Sequence, residues 1–297
     1  MKENLRKGGK QLAERMTAVV AGGDLRQVYA ANALAQKGFS VTALGFSKDQ
    51  PFKNVRVSEE LSVLEQAELV LFPLMMSKEG KLNTPLSDDE IYLKDCFDRI
   101  PQTAQIFGGN LTKEEKQLAE QKGLSLRDFF HVEELTVANA VLTAEAAIQL
   151  AMEQLTISLW KSRVLICGGG RIARALITRL KAFGAELTVA ARRPEQRIWA
   201  AAEGVKTISL SALSTILPEQ QLIFNTVPQR IFGESELTMC DEECLLMELA
   251  SNPYGIDFTA AEKLKRRTLL AAALPGKHSP QTAGEWITDT ILNMRKG

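Results

Sequence analysis

The chain has 297 residues, of which 45% are hydrophobic and 24% charged, and this is the balance of a globular protein with room for two domains. Thirty-six lysines and arginines match 36 aspartates and glutamates, so the chain lacks the basic surplus of nucleic-acid-binding proteins. No apolar run reaches the roughly 18 residues of a membrane helix, and residues 1–16 lack the apolar core of a signal peptide. We therefore expect a cytoplasmic protein that binds neither nucleic acid nor membrane.

The first half of the chain alternates apolar strands with helices. Residues 17–21 predict a strand, residues 25–36 a helix and residues 40–45 a second strand, which together make a βαβ unit with a right-handed crossover. Further predicted elements are a strand at residues 69–74, a strand from residue 105 and a helix at residues 111–122. The pattern predicts a Rossmann-like substrate domain, residues 1–142, with a mostly parallel sheet.

The second half repeats this alternation after an Ala- and Leu-rich helix, predicted at residues 143–158, that joins the two domains. The predicted elements are strands at residues 163–167, 186–191, 222–225, 244–248 and 269–273, and helices at residues 171–183 and 281–294. We expect a second Rossmann-like domain at residues 143–280, with a cleft between the two domains. The last helix, residues 281–295, is expected to pack back on the first domain.

A glycine-rich turn follows the first strand of the second domain. The sequence CGGGRIA, residues 167–173, has the spacing GxGxxA between an apolar strand and a helix. Gly168 permits the tight turn, Gly170 allows close approach of a pyrophosphate, and the small Ala173 allows the helix to pack against the strand. The amides at the helix N-terminus then face the pyrophosphate. The turn predicts a dinucleotide-binding site.

The end of the next strand indicates which dinucleotide is bound. An NAD-specific site places Asp or Glu there, whereas this chain has Arg192 and Arg193 and no carboxylate before Glu195. A guanidinium binds a 2′-phosphate well, so NADP is favoured over NAD. Thr226 and Pro228 follow a later strand, where the cofactor ribose or nicotinamide usually passes. The predicted cofactor-binding residues are Gly168, Gly169, Gly170, Arg171, Ile172, Arg192, Arg193, Thr226 and Pro228.

The glycine turn of the first domain, Gly22-Gly23-Asp24, lacks the second half of this fingerprint. Asp24 would repel a phosphate, so it either caps the following helix or faces a substrate donor, and both roles are compatible. Arg26 and Gln27 lie with it at the carboxyl end of the first strand, where open α/β sheets bind ligands.

The four cysteines show no metal-binding pattern. Cys240 and Cys244 are the closest pair, and the three residues between them fit neither a redox nor a zinc motif. A Cys/His site would also need distant contributions from His131 and His278, which are the only histidines. We expect no metal, and thiols that are buried or incidental.

Several segments together resemble the A subunit of dipicolinate synthase. The more specific ones are GGDLRQ at residues 22–27 and the closing LPG and PQTAG at residues 274–276 and 280–284. The other segments are CGGGRIA, VAAR at residues 189–192, ASNPYGIDF at residues 250–258 and NAVLTAE at residues 139–145. The resemblance covers nearly the whole chain from Thr17 onward, in matching order.

This resemblance implies a sporulation enzyme of the mother cell that works in a hetero-oligomer with a flavoprotein-like B subunit. The family forms dipicolinate, pyridine-2,6-dicarboxylate, from an intermediate derived from 4-hydroxy-tetrahydrodipicolinate. Carboxylates call for basic, hydroxyl or amide donors, and amides at the helix from Thr143 could take one carboxylate while Arg26 takes the other. The expected substrate-binding residues are Asp24, Arg26, Gln27, Asn139, Thr143, Ser251 and Gly276.

The sequence does not identify the general base. Glu145 and His278 are weak candidates, because Glu145 could be only a first-turn carboxylate favoured by the helix dipole and His278 is a lone histidine. Two alternatives also stay open for the chain as a whole. One is an NADP-dependent dehydrogenase of another keto, hydroxy or imino acid, and the other is a nucleotide-binding regulatory subunit of a hetero-oligomer.

Overall fold

The computed structural model describes residues 15–296, so most of the charged N-terminal stretch considered above lies outside the described residues. The chain divides into two compact units: unit 1 comprises residues 15–131 and 287–296, and unit 2 comprises Val132–Trp286. Each unit contains one six-stranded sheet in which all neighbouring strands are parallel. The prediction of two parallel-sheet α/β domains is confirmed.

Unit 1 has the strand order β3-β2-β1-β4-β7-β8. Its elements are β1 Thr17–Ala21, α1 Leu25–Gln36, β2 Ser40–Leu44, β3 Val55–Ser58, β4 Leu69–Leu74, β5 Ser77–Lys78, β6 Lys81–Leu82, α2 Leu93–Phe97, β7 Gln105–Gly109, α3 Lys113–Gln121 and β8 Leu126–Asp128. The chain leaves β1 toward β2 on one side and returns through β4 on the other. The strand order therefore reverses beside β1, and this is the point where open α/β sheets bind ligands.

Unit 2 has the strand order β11-β10-β9-β12-β13-β14, which matches the order of dinucleotide-binding domains. Its elements are α4 Glu133–Gln154, β9 Arg163–Cys167, α5 Arg171–Ala182, β10 Glu186–Ala190, α6 Pro194–Ala202, β11 Lys206–Ile208, β12 Leu222–Asn225, α7 Glu234–Met239, β13 Leu245–Glu248, α8 Phe258–Lys263, β14 Arg267–Leu270 and α9 Leu274–His278. The last helix, α10 Pro280–Lys296, begins in unit 2, and its residues from Ile287 onward belong to unit 1. The strands β9 and β12 lie side by side at the centre and are almost wholly buried.

Helix α4 differs from the prediction, because it begins at Glu133 rather than at residue 143. No glycine or proline interrupts residues 133–142, and Glu133 and Glu134 stand in the first turn, where carboxylates favour a helix N-terminus. The expected domain division between residues 142 and 143 therefore falls inside α4.

Within the described part of the chain, α4 is the one helix long and apolar enough to cross a membrane. It packs as a core helix of unit 2, where the fully buried Ala144, Ala147 and Ala151 share a hydrophobic cluster with residues of α5 and the sheet. Small side chains let the helix backbone come close to its neighbours, which explains why alanines dominate this face. The apolar composition of α4 is thus accounted for by packing.

The C-terminal part of α10 packs in unit 1. Thr288 is buried and donates its hydroxyl to the carbonyl of Ala30 at 3.2 Å. The Lys37 Nζ lies 2.8 Å from Asp289 Oδ1, and the Arg295 guanidinium stacks over the ring of Phe39.

Candidate functional site

Unit 2 contains a cavity of about 690 Å³ at the carboxyl ends of β9, β10 and β12. This size lies within the roughly 300–1,000 Å³ of small-molecule pockets. The predicted residues that line it are Gly168, Gly169, Gly170, Arg192, Arg193, Thr226 and Pro228. We call it the cofactor cavity.

The glycine turn has the geometry that the fingerprint requires. Gly168 adopts φ +111°, and a Cβ there would lie 2.2 Å from Thr226 Oγ1, so neither the backbone nor the space admits a side chain. Thr226 is held in place by its own hydrogen bond to the carbonyl of Cys167 at 2.8 Å. A Cβ on Gly170 would meet nothing within 4 Å, which leaves open space beside the backbone where a pyrophosphate would bind.

The start of α5 is suited to an anion. The first turn carries no acidic residue, and the 12-residue helix presents its N-terminal amides at the edge of the cofactor cavity. Ala173 is fully buried in the unit 2 core, as close packing of the helix on the sheet requires.

Arg171 and Ile172 were predicted to bind cofactor, but neither side chain lines the cofactor cavity. The Arg171 guanidinium binds Glu133 of α4, with Nε 2.9 Å from Glu133 Oε1. This pairing raises the pKa of Arg171 and lowers that of Glu133. Arg171 and Ile172 can therefore reach a pyrophosphate only through their backbone amides.

The two arginines after β10 differ in their partners. Both are exposed and line the cofactor cavity, but the Arg193 Nε lies 3.3 Å from Glu195 Oε1. Among the described residues, no carboxylate pairs with Arg192. Arg197 donates to the carbonyls of Ala191 and Arg192 at 2.8 and 2.9 Å, which fixes the turn that carries both side chains.

The sequence reasoning missed ten of the 17 residues that line the cofactor cavity. Several further residues line it, from the helix α6, the 3₁₀ segment after β11, the loop after β12 and the helix α7: Gln196, Leu210, Ser211, Leu213, Ser214, Val227, Gln229, Arg230, Ile231 and Glu236. The strand β11 has three residues and no apolar run, so the loop that follows it was not recognised as part of the carboxyl edge. Locating β11 from the parallel register would have found the four of these residues that follow it, Leu210, Ser211, Leu213 and Ser214.

At the corresponding turn of unit 1, Asp24 caps α1. Its carboxylate accepts from the Arg26 amide at 2.9 Å, and Gln27 Oε1 accepts from the Asp24 amide at 3.2 Å. Asp24 also binds the Arg26 guanidinium, with Nη2 2.7 Å from Oδ2. Gln27 is fully buried, and its Nε2 has no hydrogen-bond partner. A buried amide donor without an acceptor is unusual in a folded protein. This turn is therefore a candidate binding site for a ligand that carries a hydrogen-bond acceptor.

Three of the four substrate-binding residues predicted in unit 2 lie in helices, and only Ser251 follows a strand. Asn139 and Thr143 stand in the middle of α4, and the Thr143 hydroxyl donates to the carbonyl of Asn139 at 2.7 Å. No helix N-terminus exists at Thr143, so the proposed capture of a carboxylate by its amides was wrong. Ser251 lies exposed after β13, and Gly276 lies inside the five-residue helix α9 rather than in a loop.

Neither weak candidate for the general base lines the cofactor cavity. Glu145 is exposed in the middle of α4, so its interpretation as a first-turn carboxylate favoured by the helix dipole was wrong. Its Oε1 lies 2.7 Å from the Arg179 Nη2. His278 is the last residue of α9 and is half-buried.

All four cysteines are free and buried. Burial raises the pKa of Cys96 to about 12 and that of Cys240 to about 11, so these thiols are protonated at neutral pH. No cluster of three His, Cys, Asp or Glu side chains suited to a metal ion occurs within residues 15–296.

Comparison with known families divides the chain near the unit boundary. Residues 17–130 match the family described as the N-terminal domain of the dipicolinate synthase A subunit. Residues 130–274 match the NAD-binding domain of D-isomer specific 2-hydroxyacid dehydrogenases. The second match covers all the strands that form the cofactor cavity.

Individual proteins extend the similarity to the whole chain. The dipicolinate synthase A subunit of Bacillus subtilis (strain 168) is 28% identical over 279 residues, covering 93% of this chain and 94% of that protein. The crystal structure of the Bacillus subtilis protein superimposes with a TM-score of 0.84 at 26% identity, covering 96% of this chain and 97% of that one.

The fold itself is more widely shared. The dipicolinate synthase A subunit from Bacillus halodurans has a TM-score of 0.85 at 24% identity, covering 94% of this chain and 97% of that one. A Sinorhizobium meliloti transhydrogenase has a TM-score of 0.68 at 13% identity, covering 94% and 93%. The cofactor cavity and the two family matches together show that this chain, similar to the dipicolinate synthase A subunit over 93% of its length, is an NAD(P)-dependent oxidoreductase.

Proposed function

We propose that the chain is the dinucleotide-binding subunit of a dipicolinate synthase. It oxidises a dihydrodipicolinate, derived from 4-hydroxy-tetrahydrodipicolinate, with NADP as the oxidant. The observation that carries the proposal is a cavity built for a dinucleotide in a chain that is similar, over 93% of its length, to the A subunit of a dipicolinate synthase. The name of that relative supports dipicolinate as the product.

The reaction removes one hydride and one proton from the dihydropyridine ring. A nicotinamide cofactor held by residues 168–172, Arg192 and Arg193 would supply the hydride acceptor, and the ring proton would pass to solvent because aromatisation makes it acidic. The product ring is aromatic, which supplies driving force. The protein needs to hold the cofactor and the two carboxylates in a fixed relation.

The cofactor would be held through its phosphates. The pyrophosphate binds the backbone at residues 168–172, where the open side of Gly170 and the α5 amides meet. The 2′-phosphate binds near Arg192 and Arg193, and Arg192 is the better ligand because Glu195 already pairs with Arg193. The absence of a carboxylate at the end of β10 supports NADP over NAD.

The turn of unit 1 would hold a substrate carboxylate. The Arg26 guanidinium uses Nε and Nη2 on Asp24, which leaves Nη1 to donate to a ligand. Gln27 Nε2 is a second donor, since it is buried without an acceptor. Ser251 lies exposed after β13 in unit 2, and its role as a substrate ligand stays a prediction.

The partner and the location are part of the same proposal. Its designation as an A subunit implies a B subunit, so we propose a hetero-oligomer of the two. We further propose that the complex acts in the mother-cell cytoplasm during sporulation.

The test is to purify the chain alone and together with the B subunit, and to follow dipicolinate formation with NADP⁺ or NAD⁺. Dipicolinate formed by the chain alone, faster with NADP⁺, supports the proposal. Formation only in the mixture would keep the alternative of a regulatory nucleotide-binding subunit. Oxidation of another hydroxy or keto acid, with no dipicolinate formed, would identify a different dehydrogenase.

A further inference from the structure

A buried carboxylate lies behind the cofactor cavity. Glu248 ends β13 and is fully buried. Its Oε1 accepts from Asn225 Nδ2 at 2.7 Å and from the Ala250 amide at 3.0 Å, and its Oε2 accepts from the amides of Gly255 and Ile256 at 2.8 and 2.9 Å. Four donors occupy both oxygens, which matches the acceptor-only chemistry of an ionised carboxylate.

The first connection from Glu248 runs through Asn225, the last residue of β12. Asn225 is fully buried, and its Nδ2 also donates to the Val227 carbonyl at 3.1 Å. Its Oδ1 accepts from the Val227 amide at 3.2 Å. The Glu248 carboxylate therefore fixes the side chain that holds the start of the loop after β12.

The second connection runs through Gly255. While its amide donates to Glu248, its carbonyl accepts from the amides of Ile231 and Phe232, both at 2.9 Å. A Cβ on Gly255 would lie 2.2 Å from Asn225 Nδ2, so the two connections pack directly against each other. The end of the loop after β12 is thus also tied to Glu248.

The loop held at both ends, residues 226–231, supplies six consecutive residues of the cofactor cavity wall. In this strand order, β9, β10 and β11 form one mononucleotide-binding half and β12, β13 and β14 the other. The ribose-recognition position at the end of β10 assigns the adenosine to the first half, so residues 226–231 face the nicotinamide half.

We propose that Glu248 is a positioning residue for the nicotinamide half of the cofactor, acting through Asn225 and Gly255 on the loop of residues 226–231. Glu248 touches neither cofactor nor substrate in this arrangement. Its effect on binding arises because an uncharged or misoriented side chain would release at least one end of the loop. The proposal requires only a nicotinamide dinucleotide, whose binding domain is matched in this chain, and not the identity of the substrate.

The variant Glu248→Gln tests the proposal. In either orientation, the NH₂ group of the new glutamine replaces one carboxylate oxygen and faces the two donors that this oxygen served. An NH₂ group cannot accept their hydrogen bonds, so one of the two connections is lost. Titration should show the Kd for NADPH rising by about tenfold or more. The Kd for adenosine 2′,5′-bisphosphate, which carries only the adenosine half and the 2′-phosphate, should change by less than about twofold. NADH and AMP provide the same comparison if the chain prefers NAD.

The control is Glu186→Gln, an exposed glutamate at the opposite end of β10, which should leave both Kd values unchanged. Equal weakening of the dinucleotide and its adenosine half, or no weakening of either, would overturn the proposal. If Glu248→Gln does not fold, Asn225→Ala cuts one connection and should weaken the dinucleotide selectively. This comparison measures only cofactor binding, so it can be interpreted even if the unaltered chain forms no dipicolinate.

Discussion

Substitution of Gly170 should weaken cofactor binding while changing the stability of the fold only slightly. Its φ of −82° is ordinary for any residue, and a Cβ there would meet no atom within 4 Å. Gly170→Ala should therefore reduce the free energy of unfolding by no more than about 1 kcal/mol, the difference between glycine and alanine at a helix N-cap. The added methyl would instead occupy the space beside the backbone that a pyrophosphate needs.

The expected loss of affinity follows from the contacts at stake. One charge-assisted hydrogen bond from an α5 amide to a phosphate is worth about 1.5–3 kcal/mol. Losing one such bond raises the Kd by about tenfold to about 150-fold. Fluorescence titration with NADPH and NADH measures this, and denaturant unfolding of the same sample measures stability.

Gly204→Ala is the matched control. Gly204 also has open space at its Cβ position, but it adopts φ +76° and does not line the cofactor cavity. The left-handed backbone should cost about 1–2 kcal/mol of stability with no change in Kd. Tight dinucleotide binding by Gly170→Ala, or weakened binding by Gly204→Ala, would refute the placement of the pyrophosphate.

Three other outcomes are expected. Replacing Arg192 and Arg193 together by alanine should remove any preference for NADPH over NADH in paired titrations, and a retained preference would place the 2′-phosphate elsewhere. Arg26→Ala should raise the KM for the dihydrodipicolinate and leave the NADPH Kd nearly unchanged; normal turnover at low substrate would make Arg26 a capping residue only. Burial raises the pKa of Glu248, and this effect outweighs the four hydrogen-bond donors, which lower it. The carboxylate therefore takes up a proton more readily in the folded state than in the unfolded state. Stability measured against Glu248→Gln should accordingly decline as pH rises from the ordinary glutamate range to the folded pKa, and a difference that grows with pH would contradict this.

The sequence predicted the central strands and helices because each has a continuous apolar or helical pattern, which in several cases ends at a glycine. The strands β1, β4, β9 and β12 and the helix α1 have the predicted bounds. The strands β3, β8 and β11 were not predicted, because each has only three or four residues and a partly polar pattern. Short edge strands owe their pairing to the neighbouring strand more than to their own sequence.

The candidate site likewise has a part that could be predicted from local sequence and a part that could not. The glycine turn was predictable because its spacing, strand and helix are local in sequence. The contact of Asn225 with Glu248 joins residues 23 apart, and its meaning depends on the pairing of β12 with β13. The early start of α4 was missed because its boundary was placed at Thr143 rather than at the acidic first turn. That error displaced the predicted carboxylate site.

The central claim is tested most directly by the stoichiometry of the reaction. The purified chain would be mixed with NADP⁺ and with dihydrodipicolinate generated in place from 4-hydroxy-tetrahydrodipicolinate, and NADPH and dipicolinate would be quantified together. The account predicts that the two products appear in equal amounts, and that Gly170→Ala suppresses both at limiting NADP⁺. Dipicolinate formed without reduction of the cofactor, or no dipicolinate from a chain that binds NADP⁺ tightly, would contradict it.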